Sequence, residues 1–187
     1  APSSAGEPQA APGAGRARFA AVRRNGVLET DGGGVSASFR ASGPLLRFGG
    51  VELGLSIVGV GRGTELAGVA AATPVASGNR VSYRRSGLTE WYSNGAAGLE
   101  QGFTLERPPA GGSAQGLLTV AVRVSGPVRL SRDGSQVVIS GLAGGAPLGR
   151  YGGLSAVDAS GRVLPSSSAV AARAACRSGP WNSLPTK

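Results

Sequence analysis

The sequence predicts an all-β protein, organised as an antiparallel β-sandwich-like domain that is built from hairpins. Three observations support this prediction. Alternating apolar and polar residues form short segments that recur at intervals of about 8 to 12 residues. Glycine accounts for 33 of the 187 residues and proline for 12, as expected for many short strands joined by turns. Asn-Gly pairs at positions 25–26 and 94–95 tolerate the positive φ angles that tight hairpin turns require.

The predicted domain spans residues 16–165 and lies between two segments that lack a β pattern. Residues 1–15 are rich in Pro, Ala and Gly, so we predict a flexible, disordered leader. This leader lacks the charged and apolar regions of an intact signal peptide, but its Ala-Pro start is typical of the mature end that cleavage leaves. The pattern favours a secreted protein, extracellular or at the cell surface. Residues 166–187 are predicted to form an irregular or partly helical tail.

The first predicted strands follow from alternation and from turn residues. A hairpin is expected to turn at Asn25-Gly26, and the Gly-rich residues 31–34 form a plain turn. The clearest alternation covers residues 51–57, with apolar side chains at the odd positions, which indicates a strand with one wet face. Residues 65–72 fit either a strand or a helical turn. Residues 73–79 are rich in turn formers and are predicted to be a loop.

The stretch at residues 80–109 holds one of the two Trp and two of the three Tyr, and it is predicted to be the central hairpin. Its two strands alternate on either side of a turn at Asn94-Gly95. Trp91 and Tyr92 are adjacent, so a strand directs them to opposite faces. One of them is expected to enter the core and the other to lie at the surface.

Further strands are predicted after this hairpin. Residues 118–124 alternate clearly, and a third hairpin turns at Asp133-Gly134. A strand is expected over residues 149–157, and a turn at 158–161 leads to a last short strand at 162–164. No apolar run is long enough for a membrane span.

The formal net charge of +9 invites a nucleic-acid or anionic-surface interpretation. The cations are almost all Arg and are spread along the chain without a dense block, so a solvated Arg-rich surface is favoured over nucleic-acid binding. An exposed aromatic beside Arg can still bind a glycan or another polyanion. The candidate contacts for such a ligand or for a protein partner are Trp91, Tyr92, Arg84, Arg85 and Arg107.

Composition also narrows the chemistry that is available. His is absent, which removes Ser-His-Asp chemistry and the commonest zinc sites, and no base is present beside the single cysteine, Cys176. Asp31, Asp133 and Asp158 are expected to stabilise their own turns rather than to hold calcium. We therefore predict no catalytic, cofactor-binding or metal-binding residues and no cofactor.

A carboxylate pair is the least favoured alternative. Glu90 and Glu100 flank the Asn94-Gly95 turn, and paired carboxylates are typical of glycoside hydrolysis. Nearby arginines make weak surface ion pairs on a wet face the preferred interpretation.

The residues around the central hairpin resemble a known family. Tyr83, Trp91-Tyr92, the GLEQGF segment at 98–103 and the YGGL segment at 151–154 are similar to the β-rich domain that precedes FG-GAP-type (integrin-α-like) propeller repeats in large secreted bacterial proteins. The likeness runs from residue 16 to residue 164. It implies a non-catalytic extracellular module for adhesion, surface display or assembly, in which self-association or a protein partner is expected.

Overall fold

The computed structural model describes residues 18–109 and 116–171. The predicted leader at 1–15 and the tail beyond residue 171, including Cys176, lie outside these described residues. The described part of the chain is all-β and antiparallel, as predicted. It contains no helix that is long and apolar enough to cross a membrane. The chain divides into two compact units between Val128 and Arg129.

The described residues of the first unit form two sheets. A seven-stranded sheet has the order β1-β2-β3-β4-β5-β11, with β6 also pairing with β5, and a four-stranded sheet has the order β10-β9-β8-β7. The strands are β1 (Val22–Arg24), β2 (Val27–Gly32), β3 (Val35–Arg40), β4 (Gly43–Phe48), β5 (Val51–Arg62), β6 (Glu65–Ala67), β7 (Pro74–Ser77), β8 (Arg80–Arg85), β9 (Leu88–Gly95), β10 (Gly98–Leu105) and β11 (Leu118–Ser125).

The turns of the seven-stranded sheet follow from their residues. Asn25 and Gly26 have φ angles of 48° and 80°, which confirms the predicted hairpin turn between β1 and β2. Gly33 and Gly34 repeat this geometry between β2 and β3, with φ angles of 60° and 78°. Two-residue turns with two positive φ angles match the twist of the flanking strands, so these hairpins form tight, consecutive pairs.

β5 is the longest strand, and a bulge divides it. Leu53 and Ile57 are buried, as the alternation predicts. The pairing with β11 then skips Val58, because Ala121 lies opposite Gly59 whereas Val122 lies opposite Ile57. The extra residue shifts the inward-facing positions by one, so that Val60 is buried as well.

The four-stranded sheet corrects two predictions. The central hairpin exists, but its turn lies at residues 96–97, because Asn94 and Gly95 belong to β9 and pair with Leu99 and Gly98. Asn94 is buried, and its Nδ2 donates to the carbonyl oxygens of Phe19 at 3.2 Å and Asp31 at 3.1 Å. Residues 73–79 were predicted to be a loop, yet they contain β7, whose Pro74 an edge strand can accommodate.

The core of the first unit lies between the two sheets. Phe39 of β3 packs against Tyr92 of β9, with ring centroids 5.5 Å apart. A second cluster joins Ile57 and Val60 of β5 to Leu88 of β9, with half-buried apolar neighbours from both sheets. Because side chains of the facing sheets fill one core, the first unit is a two-layer β-structure.

The described residues of the second unit form two small sheets. One has the order β12-β13-β14 and the other pairs β15 with β16. The strands are β12 (Val128–Asp133), β13 (Gln136–Gly141), β14 (Gly149–Tyr151), β15 (Ala156–Val157) and β16 (Val163–Leu164). The strand predicted at 149–157 is interrupted at 152–155, where Gly153 has a φ of 73°. Residues 166–171 of the predicted tail have no regular secondary structure.

Candidate functional site

Alternation along the four-stranded sheet sorts the candidate residues between two faces. We call the face that packs on the seven-stranded sheet the inner face, and the opposite one the outer face. Leu88, Glu90, Tyr92 and Asn94 of β9 are buried on the inner face. Trp91 lies between them in the sequence and is half-buried on the outer face. The two adjacent aromatic side chains therefore point in opposite directions, as the sequence predicts.

The inner face holds a buried network of four polar residues. Glu90 is only 1% exposed. Its Oε2 accepts a hydrogen bond from Nη1 of Arg85 at 2.8 Å. Its Oε1 accepts from the Tyr92 hydroxyl at 2.6 Å and from Nε2 of Gln101 at 3.0 Å. We call Arg85, Glu90, Tyr92 and Gln101 the buried network.

The charge of Arg85 is also compensated. Its side chain is 7% exposed, and Nε donates to the carbonyl oxygen of Ala70 at 2.9 Å. Its guanidinium lies 5.0 Å from the centroid of the Tyr83 ring. Burial raises the pKa of Tyr83 above its ordinary range, and the nearby negative charge of Glu90 raises this pKa further. Both charged partners of the ion pair therefore lie in an environment that is shielded from water.

The buried network changes the interpretation of three residues that were candidates for ligand contact or for catalysis. Tyr92 and Arg85 offer almost no surface to a ligand, because they are enclosed between the sheets. Glu90 was expected on the wet face of the hairpin, but strand alternation places it on the inner face instead. The network connects β8, β9 and β10 inside the core through three hydrogen bonds to the Glu90 carboxylate.

The two carboxylates of the glycosidase alternative do not share a site. Glu90 pairs with Phe103 across β9 and β10, whereas Glu100 pairs with Ser93. Glu90 is buried on the inner face and Glu100 is exposed on the outer one. General acid and nucleophile must flank one bond, which this arrangement does not provide. Two shallow surface depressions, one beside the β4–β5 turn and one between residues 23–28, 39–41 and 73–74, contain neither carboxylate.

The outer face presents a stack built on Trp91. Gly102 of β10 pairs directly with Trp91, and a Cβ at Gly102 would lie 2.0 Å from the nearest ring atom. The indole therefore rests on the backbone of β10 at a position that only glycine permits. The Arg80 guanidinium lies 3.9 Å from the ring centroid. Trp91 thus lies against β10 at Gly102 and contacts a cation that β8 supplies.

The remaining arginine candidates lie at the far end of this sheet. Arg84 is exposed on the outer face of β8, four residues from Arg80. Arg107 is exposed just beyond β10, beside the turn at Gly87. The sequence analysis missed Arg80, although a signal was present. The tight turn at residues 86–87 fixes the register of β8 and β9, and this register places Ser82 opposite Trp91. Arg80 is therefore the diagonal neighbour of Trp91.

The acidic residues give no metal site among the described residues, where no three of His, Cys, Asp and Glu cluster. Asp158 stabilises its own turn, as predicted, because its Oδ1 accepts from the backbone N–H groups of Ser160 at 2.9 Å and Arg162 at 3.0 Å. The hydrogen bond from the Ser160 hydroxyl, followed by the bonds from the backbone N–H groups, holds the pKa of Asp158 below its usual range. Asp31 instead accepts from the Ser36 hydroxyl, and Asp133 pairs with Arg150.

The described residues of the first unit thus form an antiparallel two-layer β-structure with a hydrogen-bonded polar network buried between its sheets. Comparisons with family models, with curated proteins and with solved structures found no match to this chain.

Proposed function

We propose that this chain is a non-catalytic β-module that assembles a larger extracellular protein, in adhesion or surface display, by pairing its β11 edge with another polypeptide. The observation that carries the proposal is the unprotected outer edge of β11. This strand has eight residues and pairs with β5 on one side, and no described strand pairs with its other side.

Comparison with the other edges of the first unit's two sheets supports β11 as the pairing site. β1 and β6 have three residues each and carry charges. β7 has four residues and begins with a proline. β10 is long, but it contains two glycines and the exposed Glu100. Short length, charge, proline and glycine all discourage strand addition, whereas β11 has no Gly or Pro and a single charge at Arg123.

Strand addition would use backbone hydrogen bonds for affinity and side chains for specificity. β11 presents the exposed Leu118 at its start, after the exposed Leu117. Both leucines could pack against an incoming strand and remove apolar surface from water. A second copy of this chain is the simplest partner, because β11 can pair antiparallel with its own copy about a twofold axis.

The non-catalytic part of the proposal is supported by the positions of the carboxylates. Glu90 is fully engaged in the buried network and Glu100 lies on the opposite face. The resemblance to domains that precede FG-GAP-type repeats, and the secreted location, belong to the same proposal. They agree with an assembly role but rest on the sequence pattern alone.

The direct test is size-exclusion chromatography with light scattering, at several protein concentrations and in low and high salt. We expect a dimer that resists salt, because backbone pairing and apolar contacts are weakly screened. Ala121→Lys places a charge on the edge strand and should return the protein to a monomer. Val75→Lys is the control, since Val75 is 62% exposed on β7, an edge of the other sheet. A monomer at all concentrations, or equal effects of the two substitutions, would refute pairing of β11 with a second copy of this chain.

A further inference from the structure

The outer face of the four-stranded sheet carries a second surface, separate from the β11 edge. Its centre is the Arg80–Trp91 stack, with the exposed Arg84 on the same face of β8. Small hydroxyl residues surround the stack, among them Ser82, which pairs with Trp91, and Thr104 on β10. We call Arg80, Trp91, Arg84 and their hydroxyl neighbours the outer-face surface.

The Arg80 guanidinium has the features of an anion-binding group. It is exposed, and among the described residues it has no carboxylate partner. Contact with the Trp91 ring restricts the motion of the guanidinium, which carries five N–H donors in a planar fork. A fixed fork loses little side-chain entropy when it binds a carboxylate or sulfate through two parallel hydrogen bonds.

The spacing of the cations suits an extended anionic chain. Arg80 and Arg84 are four residues apart on one strand, which corresponds to roughly 13 Å along β8. Arg84 likewise has no carboxylate partner among the described residues. The exposed Glu100 lies on the same face, two strands from Arg80, and gives this surface one negative border. Two separated cations can therefore contact two anionic groups of one linear polymer.

We propose that the outer-face surface binds an acidic polysaccharide, one that carries carboxylate or sulfate groups, with Arg80 as the main contact and Trp91 as its positioning residue. The Arg80 guanidinium lies over the indole, 3.9 Å from the ring centroid, so that ring face is not free to stack on a sugar or a base. Single-stranded nucleic acids are bound largely through such free aromatic faces. The nearby Ser and Thr hydroxyls can both donate hydrogen bonds to sugar hydroxyls and accept hydrogen bonds from them.

The experiment measures binding of heparin, polygalacturonate, neutral dextran and oligo-dT to the full chain. Affinity is read from Trp fluorescence in a Trp181→Phe background, so that Trp91 gives the signal. We expect heparin or polygalacturonate to bind and to alter Trp91 emission, because the anion contacts the guanidinium stacked on that ring. Dextran should not bind. Absence of acidic-glycan binding, equal binding of dextran, or tighter binding of oligo-dT would overturn the proposal.

Variants separate a built site from the attraction of any anion to a chain of charge +9. Arg80→Ala and the control Arg129→Ala, an exposed arginine of β12, remove the same charge. We expect Arg80→Ala to weaken acidic-glycan binding about tenfold and to lower the salt slope by about one, with little effect of Arg129→Ala. Equal losses in the two variants would show nonspecific attraction and refute the site.

Two further variants test the positioning role of Trp91. Trp91→Phe keeps an aromatic face for the guanidinium and should retain most of the affinity, whereas Trp91→Leu should lose about as much as Arg80→Ala. For these variants affinity is measured by calorimetry, and thermal unfolding verifies that each remains folded. Equal affinities of Trp91→Phe and Trp91→Leu would refute the positioning role. The Ala121→Lys variant should bind acidic glycan normally, so failure of this proposal and failure of edge pairing are distinguishable.

Discussion

The ion pair between Arg85 and Glu90 allows the effect of burial on the stability contribution of an ion pair to be measured. Glu90→Gln keeps the shape of the side chain but removes its charge, while the Arg85 cation stays in place with a side chain that is 7% exposed. Breaking a buried pair in this way typically costs about 3–5 kcal/mol. Arg85 retains the Ala70 carbonyl and the Tyr83 ring as partners, so we expect a loss near the lower end, about 3 kcal/mol.

The matched control is Glu52→Gln. Glu52 pairs with Arg47 at 2.7 Å, close to the 2.8 Å of the buried pair. The side chains of Arg47 and Glu52 are, however, 57% and 46% exposed. An exposed pair contributes about 0–1 kcal/mol, so this substitution should have little effect on stability. The two variants therefore differ mainly in the burial of the ion pair that each one removes.

The assay is equilibrium unfolding in urea, followed by circular dichroism and by Trp fluorescence, with linear extrapolation to water. High salt should weaken the contribution of the Arg47–Glu52 pair and leave that of the buried pair nearly unchanged. The double variant Arg85→Met with Glu90→Leu removes both charges and should recover part of the stability that Glu90→Gln loses, because the Tyr92 hydroxyl still loses its carboxylate acceptor. Equal losses below about 1 kcal/mol for Glu90→Gln and Glu52→Gln would refute the reasoning.

Three further predictions follow from the geometry. Gly33→Ala should destabilise the first unit by more than the roughly 1 kcal/mol expected of Gly34→Ala. Both residues have a positive φ, but only a Cβ at position 33 would lie 2.3 Å from the Gly98 nitrogen. Urea unfolding of the two variants measures the difference, and equal losses of stability would contradict the prediction. Tyr83 should stay protonated as pH rises past the ordinary tyrosine pKa, because burial raises the pKa of its hydroxyl; tyrosinate absorbance measures this. The stability that this shift contributes is complete below the ordinary tyrosine pKa and is lost as pH rises. Ionisation of Tyr83 near pH 10 in the folded chain would contradict the prediction. The pKa of Asp158, measured by an NMR titration, should lie below its ordinary value of 3.8. The Asp158 turn is therefore stabilised above that pH and loses this contribution as pH falls through the lowered pKa. A midpoint at or above 3.8 would count against the hydrogen bonds from Ser160 and Arg162.

Strand periodicity and turn chemistry made most of the fold predictable. The Asn25-Gly26 turn and the alternation at residues 51–57 depend on local chemistry, and the structure contains both. The Asn94-Gly95 turn was misplaced because the same pair also suits a strand end where Asn94 is buried by long-range contacts. The bulge at Val58 also escaped prediction, since it depends on the register with a strand about sixty residues away.

The candidate site was predictable only in part. Alternation separates Trp91 from Tyr92, but it does not indicate which of them faces the second sheet. Because Tyr92 faces the second sheet, Glu90 faces it too and lies in the core. Its proximity to Arg85 in the sequence had suggested a surface ion pair instead. Arg80 was missed because its contact with Trp91 runs diagonally between strands and follows only when the turn at residues 86–87 is used to set the register of β8 and β9.

The order of strands in the seven-stranded sheet has a consequence for folding. Pairs from β1 to β6 and from β7 to β10 join neighbours in sequence, so each meander can form locally. β11 pairs with β5 only after the whole four-stranded sheet has been synthesised between them, as the 71-residue separation of Ser125 and Gly54 illustrates. Closing so long a loop costs entropy that local pairs do not, and we expect β11 to dock last. Until then the bulged β5 is itself an open edge, and a neighbouring molecule's β11 could occupy it in place of the chain's own strand.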